Sequence, residues 1–138
     1  MRGTRPQIRG TSKRSSVRRP ARKTAPVTWE VVRQLALALP GVEEGFSYRT
    51  PAFRVRGKLL VRLREDGESV VIKIDFDERD LLMAANPETF YITDHYRNYP
   101  AMLVRLATVS REELRDLLEQ SWRRSAPKRL VAAYDGQA

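Results

Sequence analysis

The chain has 138 residues, a hydrophobic content of 41% that supports a core without cross-links, no cysteine, and a formal net charge of +9. The missing cysteines exclude disulfide scaffolds, thiolate zinc sites, iron–sulfur clusters and a cysteine nucleophile, and they fit a reducing compartment. No apolar stretch approaches the ~20 residues of a membrane-spanning helix, so no membrane partner is expected.

The charge is concentrated at the start. Arg2, Arg5, Arg9, Lys13, Arg14, Arg18, Arg19, Arg22 and Lys23 precede Val27 with no Asp or Glu among them. Those nine of the 26 Lys+Arg leave 17 for the rest of the chain, matched by all 17 Asp+Glu. Residues 1–26 carry three prolines (Pro6, Pro20, Pro26), two glycines (Gly3, Gly10) and no helical stripe of apolar residues. They read as a disordered basic arm attached to a neutral domain at 27–138. An Arg/Ser-rich, acid-free start also fits a targeting segment.

Thr28 is placed to cap a helix running to about Leu39, with Val32, Leu35, Ala36 and Leu39 on one face and Pro40-Gly41 as its stop. Glu43-Glu44-Gly45 reads as a loop leading to Thr50-Pro51. From Ala52 the apolar period changes to two. Phe53 and Val55, then Leu59, Val61 and Leu63, then Val70, Ile72 and Ile74 alternate with charged residues, with turns at Gly57-Lys58 and Asp66-Gly67. This predicts a three-stranded antiparallel meander. A short helix is expected from Asp77 to Ala85, a strand at Phe90–Thr93, and another through Met102, Val104 and Leu106. Ser110-Arg111-Glu112-Glu113 is a capping box opening a helix with Leu114, Leu117, Leu118 and Trp122 inward, ending before Pro127. The pattern defines an α+β domain, an antiparallel sheet with one face covered by N- and C-terminal helices. Its core should include Leu35, Leu39, Phe53, Val61, Ile72, Leu106, Leu117 and Trp122.

Strand parity then assigns Arg54, Arg56, Arg62, Arg64, Lys73 and Arg105 to the opposite face, with Asp75 as one opposing charge. Such a row is either a solvated face or a second basic surface beside the arm. The acids Asp75, Asp77, Glu78 and Asp80 lie at a helix start, where they complement free amides, and they lack the glycine and terminal glutamate of a calcium loop. No metal or cofactor site is expected. His95, the only histidine, stands in Thr93-Asp94-His95-Tyr96-Arg97-Asn98-Tyr99-Pro100, with no nucleophile motif, P-loop or dinucleotide fingerprint anywhere in the chain. It reads as a loop histidine among tyrosines, with His95, Tyr96, Arg97, Tyr99 and Trp122 as the residues of a candidate pocket.

Ala38-Leu39-Pro40-Gly41-Val42, Thr50-Pro51-Ala52-Phe53-Arg54-Val55 and Gly57-Lys58 resemble the opening of the MmcQ/YjbR family of small bacterial proteins. Asn86-Pro87-Glu88-Thr89-Phe90, His95-Tyr96, Tyr99-Pro100, Val104-Arg105-Leu106 and Ala126-Pro127-Lys128-Arg129-Leu130 continue the likeness in the same order, over roughly Val27 to Leu130. The resemblance implies a CyaY-like (frataxin-like) fold with a double-wing arrangement and a DNA-binding role, and it brings no catalytic residues. Frataxin-type iron binding does not carry over, since only Asp75 to Asp80 stands in for an acidic ridge.

The expectation is therefore a cytoplasmic, non-enzymatic protein, with nucleoid association left open, that binds nucleic acid, with duplex DNA the expected non-specific partner. Arg14, Arg18, Arg19, Arg22 and Lys23 of the arm would supply phosphate contacts, and Arg54, Arg56, Arg62, Arg64, Lys73 and Arg105 a second surface. The alternative is a small-molecule or protein-interaction module with its pocket near His95–Tyr99.

Overall fold

The computed structural model describes residues 26–136, so residues 1–25 of the expected arm lie outside the described residues. The first helix, α1 (Trp29–Leu37), begins where the Thr28 hydroxyl accepts the Val31 amide, and it turns Val32, Leu35 and Ala36 inward. It is followed by β1 (Val42–Ser47), β2 (Thr50–Val55), β3 (Lys58–Leu63), β4 (Ser69–Lys73) and α2 (Phe76–Ala85). Next come β5 (Phe90–Tyr91), a single 3-10 turn at Asp94–Tyr96, β6 (Ala101–Arg105), α3 (Arg111–Ser125) and α4 (Lys128–Gly136). The strands form one sheet in the order β1-β2-β3-β4-β6-β5, antiparallel at every junction.

The expected meander is β2-β3-β4, and the capping box of α3 is present in both directions between Ser110 and Glu113. Two elements depart from expectation. The segment read as a loop at Glu43-Glu44-Gly45 is the edge strand β1, whose residues are all exposed or half-buried and so carry no apolar alternation. The chain also continues past Pro127 into α4. A proline directly before a helix supplies its carbonyl and lacks only an amide the helix does not use; Leu130 and Val131 both donate to the Pro127 carbonyl.

The register of β3 is broken by one residue. Phe53 pairs with Val61 and Arg54 with Leu59, so Leu60 is the extra residue of a bulge. Leu60 and Val61 are both fully buried on the helix side. Leu59, expected to share the core face with Val61 and Leu63, is turned to the opposite face.

On the helix side, Phe53, Val55, Val61, Val70, Ile72, Met102 and Val104 meet Val32, Leu35, Leu114, Leu118 and Trp122 in one core. All eight residues expected in the core are buried. Trp29 stacks on Phe53 with centroids 5.3 Å apart. Leu130, Val131 and Tyr134 of α4 pack against the same cluster. Gly41, at φ +76°, lets the chain turn beneath α4, where a Cβ would stand 2.9 Å from Leu130 Cδ2.

Candidate functional site

The second face of the sheet carries Ala52, Arg54, Leu59, Arg62, Ser69, Val71, Lys73, Ala101, Leu103, Arg105 and Tyr91, as the strand pairings dictate. No helix covers it. A small apolar patch of Val71, Ala101 and Leu103 is instead covered by Tyr91 and Tyr96. Tyr96 belongs to the 3-10 turn, so residues 94–99 act as a strap across this face.

The arginine row expected here is not a uniform basic surface. Arg62 is only 7% exposed. Its Nη2 donates to the Tyr96 hydroxyl at 2.8 Å, and its Nη1 to Thr50 Oγ1 and the Leu63 carbonyl, with Glu65 3.6 Å away. Arg64 stands 3.7 Å from Asp66. Arg56 lies in the β2–β3 turn at φ 50°, beyond the end of the strand, so it is not a face residue. Arg105 lies over the Tyr91 ring at 4.0 Å, and Arg54 donates to the Phe46 carbonyl. Arg54, Lys73 and Arg105 have no carboxylate partner among the described residues, and they are what remains of the basic face.

The strap is held from beneath by a residue that the sequence analysis did not single out. Arg79 of α2 is buried, and its Nη1 donates to the carbonyls of Tyr96, Tyr99 and Ala101 at 3.0, 2.8 and 3.2 Å. Its Nη2 donates to the Arg97 carbonyl at 3.2 Å, and its guanidinium lies over Phe76. One side chain thus meets three carbonyls of an irregular segment that has no ladder of its own, and ties them to the Ala101 carbonyl at the start of β6. That is a positioning role, and it fixes where His95, Tyr96 and Tyr99 stand. In the sequence Arg79 is one arginine among the acids of a helix start, with nothing to mark it.

Between the strap and the β1–β2 turn runs a trough. Two adjoining cavities, of about 330 and 270 Å³, share Tyr48, Arg62, His95 and Tyr96. Leu59, Val71 and Ala101 also line the second, with Lys73 and Tyr99. His95 and Tyr99 lie 5.7 Å apart with their rings tilted by 32°. The turn that supplies Tyr48 is unusual. Tyr48 and Arg49 both adopt left-handed backbone, at φ 53° and 69°, where two-residue hairpins normally place Asn or Gly. Tyr48 is 78% exposed, and the Arg62 guanidinium lies 5.2 Å from its ring.

His95, Tyr96 and Tyr99 are therefore brought together, and Tyr48 and Leu59 join them unforeseen. Arg97 is turned outward onto Asp94. Trp122, the fifth expected pocket residue, is not there. It is fully buried in the helix core, with its indole Nε1 donating to the Pro40 carbonyl at 2.8 Å. Its place on the inward stripe of α3 outweighs any pocket role. Two of the acids at the start of α2 also have partners, since Asp75 caps the Glu78 amide and the Asp75 and Glu78 carboxylates both accept from Arg124. No group of His, Asp and Glu among the described residues is arranged to hold a metal ion. At the far end, hydrogen bonds between Arg123 and Asp135 hold the Asp135 carboxyl below the usual carboxylate range.

The chain enters the domain beside this face. Val27 is buried and its amide donates to the Leu106 carbonyl, and a cavity of about 630 Å³ at that point is lined by Asp66, Glu68, Tyr91 and Arg105, among others. No helix among the described residues is long and apolar enough to cross a membrane.

An antiparallel six-stranded sheet with helices on one face and a strapped, trough-bearing second face defines an α+β domain class with a solved counterpart. It resembles the crystal structure of a Deinococcus radiodurans DUF419 domain at a TM-score of 0.61, 24% identical, covering 73% of this chain and 80% of that one. The model of the YjbR family matches residues 37–124, and the chain belongs to that family. It is also 30% identical to uncharacterized proteins of Mycobacterium bovis and of two Mycobacterium tuberculosis strains, over 80% of this chain and 81% of theirs.

Proposed function

We propose that this protein binds nucleic acid in the cytoplasm without catalysing a reaction on it. The nine arm cations, which face no acid within the first 26 residues, carry the reading. A polycationic segment neutralises phosphates, releases their counterions and thereby gains affinity whatever the base sequence. Arg105, close to the point where the chain enters the domain at Val27, extends that surface onto the domain, and Lys73 and Arg54 continue it toward the other end of the same face. Duplex DNA is the expected non-specific partner.

The test is the affinity of the full-length protein for a labelled duplex across a salt series. Changing Arg14, Arg18, Arg19, Arg22 and Lys23 together to Gln should flatten the slope of log affinity against log salt by about 4.5 units, since each lost phosphate contact removes ~0.9. An unchanged slope would remove the arm from the interface, and an unaltered protein that binds no nucleic acid at low salt would end the reading altogether. A second reading, a small-molecule or protein-interaction pocket, draws on the trough beneath the strap. It requires binding that hardly responds to salt.

A further inference from the structure

We propose that the trough on the second face holds one unpaired base of a single-stranded nucleic acid, with Lys73 beside the neighbouring phosphate. The inference rests on the nucleic-acid reading above and narrows it from any polyanion to an unstacked strand.

Three features carry it. The trough offers ring faces and an apolar floor together: Tyr48 from the turn, His95 and Tyr99 from the strap, and Leu59, Val71 and Ala101 below. A base is a flat, apolar-faced ring with polar edges, and stacking on aromatic side chains is how sequence-tolerant single-strand binders hold it. The bases of a duplex are stacked inside the helix and present no ring face to such a trough, so an unpaired base is the form that could enter it.

The second feature is Arg62. Its Nε and one Nη2 proton have no protein acceptor among the described residues, while Tyr96, Thr50 and Leu63 fix its remaining donors. A buried, oriented guanidinium with spare donors can meet the carbonyl edge of a base. Glu65, 3.6 Å from Nη1, lines the adjoining cavity and repels phosphate on that side. The strand backbone must then pass Lys73, which lacks a carboxylate partner among the described residues.

The third feature is strain. Two non-glycine residues in left-handed backbone hold Tyr48 at an exposed tip, a conformation that Asn-Gly would adopt at far lower cost. The turn keeps a tyrosine where stability alone would discard it.

The experiment compares labelled oligo-dT, oligo-U and a duplex of equal length, with the full chain and each of Tyr48→Ala, Tyr99→Ala and Lys73→Gln. Melting curves of the free variants confirm folding. The expected result is a loss of about tenfold or more in affinity for both single strands with either tyrosine variant, against less than twofold for the duplex. Lys73→Gln should lower the single-strand salt slope by ~0.7. Tyr48→Phe, which keeps the ring face, should restore binding. Equal losses on duplex and single strand, or none on either, would overturn the inference and leave the arm-based reading standing. It would also fall if a free mononucleotide displaced oligo-dT at the same concentration of nucleotide units, because the trough would then serve a metabolite. A full-length protein that binds neither form at low salt would instead bring down the underlying nucleic-acid reading.

Discussion

The two faces of one sheet follow different rules. The helix-covered face is closed by large apolar side chains, and Phe53, Leu60, Val61, Ile72 and Met102 are fully buried there. The strapped face has a three-residue apolar patch, and beside it a guanidinium buried under a tyrosine hydroxyl. The first face is held by area, at about 25 cal/mol per Å² of apolar surface buried, and area is forgiving of detail. The second is held by a few directed hydrogen bonds, where one lost partner strands several others. Stability is thus concentrated on one side of the sheet and positioning on the other.

The largest expected effect tests the first half of that contrast. Phe53→Ala removes a fully buried ring that stacks on Trp29, and should cost about 3–5 kcal/mol. Thermal melting would then show a domain at or past its limit of stability, and an unchanged midpoint would mean that the ring is not part of the core.

Arg79→Ala should cost less, about 2–3 kcal/mol, because three carbonyls of the strap and that of Ala101 lose their common donor while water reaches some of them. Its effect should be local. Amide exchange is expected to accelerate at Tyr99 and Ala101 well before β3 and β4 respond. Uniform acceleration across the sheet would show that the strap and the core unfold as one unit.

The smallest effect has the opposite sign. Replacing the strained turn with Tyr48→Asn and Arg49→Gly should stabilise the protein by about 1–2 kcal/mol, raising the melting midpoint by several degrees. The same variant should lose single-strand affinity. A destabilised product would show that Tyr48 holds Arg62 in place for the sake of the fold.

The same contrast explains what could be read from the chain alone. On the helix side, alternation in β2 to β4 and the stripes of α1 and α3 announce the core, because apolar burial writes a period into sequence. The capping box and Thr28 do the same for helix starts. Edge strand β1 carries no such period, since Glu43, Glu44 and Gly45 need only pair on one side and meet solvent on the other. The Leu60 bulge is equally silent, because Leu59-Leu60-Val61 offers three apolar residues in a row and the register decides which one turns away. On the strapped face, parity correctly sends Arg62 to the non-helix side and wrongly implies that it is solvated. Whether an arginine is exposed depends on a tyrosine 34 residues later. Arg79 and Tyr48 give no local sign at all, because their roles exist only once the strap and the turn are in place. His95, Tyr96 and Tyr99 were findable because aromatic residues are dense around the single histidine.

The indole of Trp122 reaches the Pro40 carbonyl 82 residues earlier in the chain. During synthesis the meander leaves the ribosome with only α1 to cover its apolar face, since α3, which completes the cover, is still to be made. The meander ends at Lys73, 122 − 73 = 49 residues before Trp122, so at about 5–20 residues per second that half-covered state lasts roughly 2–10 s. Through that interval Phe53, Val61 and Ile72 wait for their second layer, and the nascent chain exposes apolar surface that its neighbours could bind.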